Sequence, residues 1–255
     1  MELAAEAGFD EVTVFASPLS ASGLSSIVTP ENSARIRAKL AELDLRIANV
    51  ECFILTPQTV VNNFIPAFEL AAELGARGVG VILFDPDEQR VIDNLGRLSG
   101  LLEDFPLRAG IEFMGLTPKW KTLREMAALV QQINRDNLGV AVDLLHLIRT
   151  GGGPQQIAGN LTTGGVSSSA DIDSRWISHV QLCDGASIDV TDDYAREAGG
   201  DRLIPGEGVF PIAEFLAALP GDVPLELEVP QLNSAIPDRE RLANMMAAMK
   251  GLMPG

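Results

Sequence analysis

Four apolar stretches of the chain carry acids and amides where a packed core would take aliphatics. The clearest is Trp176-Ile-Ser-His-Val-Gln-Leu-Cys-Asp184, which reads as a strand bearing His179, Gln181 and Asp184. Side chains alternate between the two faces of a strand, so His179, Gln181 and Cys183 share one side while Val180 and Leu182 take the other. Ile111-Glu-Phe-Met114, Val140-Ala-Val-Asp-Leu-Leu-His146 and Leu225-Glu-Leu-Glu-Val229 repeat the signature, a lone acid near the late end of an apolar run. The candidate chemical groups are therefore Glu112, Asp143, His146, Gln181, Asp184 and Glu228. Buried and unpaired, such charges would each cost several kcal/mol even after relaxation, an objection that a shared divalent cation removes. Three carboxylates and an amide oxygen form a hard, oxygen-rich set, which favours Mn²⁺ or Mg²⁺ over a thiolate-bound structural zinc. Taken singly, each residue has a plainer reading. An acid near a strand end is more often a helix cap or half of a salt bridge, and Gln181 and His179 alone would be satisfied polar core residues. Glu226 shares a face with Glu228, and strand parity does not choose between them. The succession of four such stretches is what favours a polar or metal site.

Groups so far apart in the chain need a scaffold that gathers strand ends. Residues 2–7 read as a helix tail closed by Gly8, and Glu11–Ala16 as a strand. Thr29-Pro30-Glu31 opens a helix with Ile36, Leu40 and Leu43 at helical spacing, and Asp85-Pro86 repeats that signal before Val91, Leu95, Leu98 and Leu102. Further strands are expected at Arg46–Leu55, Gly78–Phe84, Leu107–Met114, Leu138–Leu147, Ile177–Cys183 and Val223–Val229. The Gly-, Ser- and Thr-rich segment Arg149–Ser169 reads as a loop holding a short helix at Pro154–Ala158, either a lid over the site or an ordinary flexible connection. A long polar loop should run from Cys183 to Pro211, then a helix Ile212–Leu219, and Asp238 should cap a closing helix whose Met245, Met246 and Met249 pack into the core.

Nearly continuous apolar strands alternating with helices are the pattern of a parallel sheet covered by helices. No Gly-x-Gly-x-x-Gly follows a strand, which argues against a dinucleotide fold. The expectation is a single-domain α/β (β/α)₈ TIM barrel over residues 1–255, with its first strand expected ahead of Met1 and so missing from this chain. In such barrels the site forms at the C-terminal ends of the strands, where these groups lie.

Bulk properties narrow the function. A net charge of −16 and a pI near 4.4 repel a phosphodiester backbone, so nucleic acid is excluded as a partner while a small sugar or keto acid remains compatible. No apolar run is long enough to cross a bilayer, which excludes a membrane partner, and the N-terminus lacks a secretory signal, so a cytoplasmic location is expected. Cys52 and Cys183 fall within strands and read as buried thiols.

The order Ile-Glu112-Phe, Asp143-Leu-Leu-His146, His179-Val-Gln181-Leu-Cys-Asp184, Arg202-Leu-Ile-Pro-Gly-Glu-Gly208 and Leu-Glu228-Val-Pro resembles the xylose isomerase-like TIM barrel superfamily of sugar phosphate isomerases and epimerases over nearly the whole chain. Gln181, where many sugar epimerases carry His, and Arg202 followed by Pro-Gly-x-Gly are similar to its hydroxypyruvate isomerase branch. The resemblance implies a divalent metal held by Glu112, Asp143, Gln181 and Glu228, with Mn²⁺ or Mg²⁺ first and Co²⁺ or Zn²⁺ as alternatives. It implies isomerisation or epimerisation of a sugar, sugar phosphate or hydroxy-keto acid through an enediolate, with Glu112 and Glu228 exchanging the proton. In that scheme His146 hydrogen-bonds a substrate hydroxyl, Arg202 and Arg149 receive a carboxylate, phosphate or distal hydroxyl, and Asp184 orients Arg202 or binds substrate. Two alternatives share the scaffold: a dehydratase of an inosose- or dehydroshikimate-like substrate, and a non-catalytic sugar-binding barrel. Repair endonucleases of the superfamily hold several zincs with many histidines, which two histidines and this charge exclude. A homodimer or homotetramer is the expected assembly.

Overall fold

The structure, a computed structural model, describes residues 1–16, 28–157, 172–189 and 192–253. The chain divides into two compact units, Met1–Glu112 with Leu129–Gly139 and Phe113–Ala128 with Val140–Gly255. Seven strands follow one another in chain order, and an eighth is not found among the described residues.

In the first unit, β1 (Glu11–Phe15), β2 (Arg46–Leu55), β3 (Gly78–Leu83) and β4 (Arg108–Glu112) pair successively and in parallel. Every residue of β3 except Ile82 is buried, as expected for a strand covered on both faces. Helices α1 (Glu2–Ala7), α2 (Ser33–Leu43), α3 (Ile65–Glu73) and α4 (Glu88–Leu102) connect and cover the strands. Helix α4 shows the local logic: Val91, Leu95, Leu98 and Leu102 recur at helical spacing and are all buried. Its start differs from the sequence expectation. Asp87, not Asp85, is the cap, accepting the Arg90 N–H at 2.8 Å, because Asp85 is wholly buried and takes the Arg90 guanidinium instead. Helix α2 likewise begins at Ser33, three residues after Pro30, with Asn32 at the cap and its side chain accepting the Thr29 N–H.

The second unit holds the end of β5 (Leu138–Asp143) with β6 (Ile177–Leu182) and β7 (Leu225–Leu227), again parallel. Helix α5 (Leu123–Ile133) precedes β5, and α6 (Leu144–Arg149), α7 (Tyr194–Gly200), α8 (Ile212–Ala218) and α9 (Asp238–Leu252) follow. The apolar run read as a strand through Leu147 breaks at Asp143, whose carboxylate accepts the His146 N–H at 2.9 Å and caps α6. Periodicity alone does not separate a buried strand from a buried helix, and every residue of α6 is buried. Helix α7 lies where a polar loop was expected. The turn at Pro154–Gln156 is 3₁₀, and residues 158–169 of the segment considered as a lid lie outside the described residues. Of the methionines expected in the core, Met245 and Met249 on α9 are buried while Met246 is only partly so, and no described helix is long and apolar enough to cross a membrane.

Candidate active site

Register across the second unit aligns the polar groups. Asp143 on β5 stands opposite Gln181 on β6, which stands opposite Glu226 on β7, and two residues back His179 stands beside Ala141. Adjacent strands are about 5 Å apart, so this row gathers side chains at the C-terminal strand ends. Gln181 is 3% exposed, and among the described residues no hydrogen-bond partner reaches its Oε1. A buried amide oxygen left in that state costs about 1–3 kcal/mol, which a ligand would relieve.

Asp143 is fully buried and uses both carboxylate oxygens: Oδ1 accepts the His146 N–H, and Oδ2 accepts from Arg202 Nη1 at 2.5 Å. Arg202 Nη1 also meets Glu228 Oε2 at 3.3 Å and the Glu228 carbonyl at 3.4 Å, while its Nε donates to the Ala198 carbonyl at 3.0 Å. Burial pushes the Asp143 carboxyl up, but the guanidinium beside it wins and holds it well below the usual carboxylate range. Arg202 is the mirror case, with burial opposing its charge and the Asp143 and Glu228 carboxylates outweighing it. Burial, with Asp143 adding to it, pushes the nearby Cys183 thiol far up, which disfavours the thiolate.

Glu226 and Glu228, which strand parity did not separate, have different neighbours. Glu226 and His179 bring ligand atoms within 4.8 Å of each other, whereas Glu228, just past β7, joins Asp143 on the same guanidinium nitrogen. Glu228 keeps 38% of its side chain exposed. Asp143 and His146 also present ligand atoms within 4.8 Å. In the first unit, Glu112 is the last residue of β4.

Three other expected site residues are engaged within the protein. Asp184 accepts four backbone N–H groups, from Gly185 and Phe210 at Oδ1 and from Gly206 and Gly208 at Oδ2, each at 2.8–2.9 Å. It thereby pins the Pro205-Gly-Glu-Gly loop, which explains Gly208: a Cβ there would strike the Asp184 carboxylate and the Gly185 carbonyl. Arg149 grips the Glu197 carboxylate with two hydrogen bonds of 2.6 Å, donates to the Ser187 carbonyl at 2.9 Å and lies over the Phe210 ring. His146 stands on α6 and its Nδ1 meets the Tyr194 hydroxyl at 2.6 Å. Tyr194 and Glu197 escaped the sequence reading because α7 looked like loop. The signal that existed was composition: Tyr194 is the only tyrosine of the chain.

The family model for the xylose isomerase-like TIM barrel matches residues 1–251. The chain belongs to that family. Among solved structures, a xylose isomerase-like TIM barrel/4-hydroxyphenylpyruvate dioxygenase fusion protein is 26% identical with a TM-score of 0.79, covering 98% of this chain. The xylose isomerase-like chain spans only 40% of that fusion protein's length. A xylose isomerase domain protein from Alicyclobacillus acidocaldarius subsp. acidocaldarius is 20% identical, with a TM-score of 0.73 over 98% of this chain and 91% of its own. The IolI protein with a bound zinc atom is 16% identical, with a TM-score of 0.71 over 98% and 89%. The last two likenesses bear on the fold alone. No curated protein matches the chain.

Proposed function

We propose that this xylose isomerase-like barrel is a divalent-metal-dependent isomerase or epimerase of a sugar, sugar phosphate or hydroxy-keto acid. The observation that carries the reading is the buried, unpartnered Gln181 Oε1 in register with the buried Asp143 carboxylate. An amide oxygen beside a carboxylate kept ionised fits a hard cation, and in this proposal Glu112, Asp143, Gln181 and Glu228 hold it. Three carboxylates with the Arg202 guanidinium carry a formal charge of about −2, which one divalent ion balances. The ion would supply an electrophile for the substrate carbonyl, making the neighbouring C–H more acidic.

The protein's own groups then move the proton. Glu228, half-exposed beside Arg202, takes it from carbon, and Glu112 returns it to the same or the next carbon. Arg202 aims the Glu228 carboxylate, and His146 hydrogen-bonds a substrate hydroxyl. IolI with zinc and the D-tagatose 3-epimerase-like neighbour support a metal and a sugar as the classes to test first.

Metal-stripped protein should gain thermal stability with Mn²⁺, Mg²⁺, Co²⁺ or Zn²⁺, by about 2.7 kcal/mol at a hundredfold excess over the dissociation constant. Gln181→Leu and Glu228→Gln should weaken that gain. Ketoses and hydroxy-keto acids incubated in D₂O should then acquire deuterium on the carbon beside the carbonyl. Absence of any metal-dependent shift in the unsubstituted protein overturns the reading. A new enone or aromatic absorbance would instead assign a dehydratase, the activity carried in the name of the probable 3-DHS dehydratase AsbF from Bacillus anthracis among the structural neighbours.

A further inference from the structure

We infer that Tyr194 is a positioning residue that fixes the ring of His146 and selects which of its nitrogens carries the proton. Helices α6 and α7 are joined by a clasp of two points with the same spacing on each helix. His146 Nδ1 meets Tyr194 Oη at 2.6 Å, and three residues further along both helices Arg149 takes both oxygens of Glu197 at 2.6 Å. A seven-residue helix has little stability by itself, so these partners determine where α7 lies. The Arg149–Glu197 pair is all but buried, with side-chain exposures of 1% and 13%, and the Arg149 guanidinium also holds the Ser187 carbonyl.

The phenol is seated as closely as its hydrogen bonds. The Tyr194 and His146 rings meet edge to face, with centroids 5.7 Å apart and planes at 71°. Gly115, in the loop after β4, donates its N–H to Tyr194 Oη at 3.3 Å, and a Cβ at that position would stand 2.8 Å from Tyr194 Cε1. A backbone N–H only donates, so it takes one lone pair of the phenol oxygen and leaves the hydroxyl proton to be donated, with His146 Nδ1 the ring atom at 2.6 Å to receive it. His146 Nδ1 is then the acceptor, and Nε2 carries the ring proton. The main-chain N–H of His146 is held by Asp143 Oδ1, so the residue is fixed at both backbone and ring. The consequence for catalysis rests on the proposed function: with Nδ1 taken by the phenol, Nε2–H is the ring donor that would meet a substrate oxygen.

Nitrogen-15 NMR of the metal-free protein, at a pH where the rings are neutral, reads the proton position directly. The chain has two histidines, and the His146 signals are those lost in His146→Gln. The expected spectrum shows one protonated Nε2 and a hydrogen-bonded, unprotonated Nδ1. In Tyr194→Phe, which keeps the packed ring, the Nδ1 signal should move to that of a non-hydrogen-bonded nitrogen and the second tautomer should appear. Gly115→Ala, which retains the hydroxyl but displaces it, should move the same signals in the same direction. A protonated Nδ1 in the unsubstituted protein overturns the inference, as do His146 signals unchanged in Tyr194→Phe. Loss of metal-induced stabilisation would sink the proposed function while leaving this result standing, so the two failures are distinguishable.

Discussion

At the scale of single residues, buried charge is tolerated where a partner of opposite sign lies within hydrogen-bonding reach. Arg202 is the sharpest case, because one nitrogen serves Asp143 and Glu228 together. Arg202→Met removes that partner and leaves a fully buried carboxylate, so urea unfolding of the metal-free protein should show a loss of about 3–5 kcal/mol. Adding Asp143→Asn should return a large part of it, and a single substitution that costs nothing would mean the pair does not hold the site. Asp85 gives a pH dependence. Its carboxyl lies below the ordinary value because the Arg90 guanidinium hydrogen-bonds it, against the opposing effect of burial. A depressed native pKa contributes stability that is complete above the unfolded value of about 3.9 and is lost as pH falls through the lower native value. Thermal melts across that acid window should therefore fall more steeply for the unsubstituted protein than for Asp85→Asn, whose stability at neutral pH should be lower by about 1–2 kcal/mol. The acids themselves were legible from sequence, since a carboxylate in an apolar run needs an explanation. Which of them meet was not, because Asp143 and Arg202 are 59 residues apart.

At the scale of elements, the site depends on short pieces held from outside themselves. The loop carrying Gly206 and Gly208 is tied to the Asp184 carboxylate by three of its backbone N–H groups, from Gly206, Gly208 and Phe210. Asp184→Ala should cost at least about 3 kcal/mol, and hydrogen exchange should rise at the amides of residues 206, 208 and 210 well before the strands are affected. Protection there equal to that of the unsubstituted protein would contradict the role given to Asp184. Helix α7 escaped notice for a related reason. Its residues, Tyr194-Ala-Arg-Glu-Ala-Gly-Gly, carry no apolar stripe, and its stability comes from Arg149 and His146, tertiary partners that periodicity does not register. The opposite error occurred at α6, where uniform burial erased the period that would have marked a helix.

At the scale of the whole molecule, charge and strand order dominate. A formal charge of −16 means that monovalent salt should raise the melting temperature modestly by screening self-repulsion. Divalent ions should add a further shift at matched ionic strength if the proposed site takes them, and comparison with Gln181→Leu separates that specific part from screening. The sequence alone was sufficient for the α/β class, for six of the seven strands found among the described residues to within two residues at either end, and for the family, because alternating buried strands and helices leave strong periodic and compositional marks over many residues. It also named Glu112, Asp143, Gln181 and Glu228 as the groups to watch, since each breaks an apolar run. Tertiary structure decided that Glu228, not Glu226, shares a guanidinium with Asp143, that Asp184 and Arg149 hold neighbouring loops and helices, and that Tyr194 reaches His146. Those outcomes depend on which side chains meet across tens of residues of chain, and hydrogen-bond partners so distant in sequence leave no local pattern.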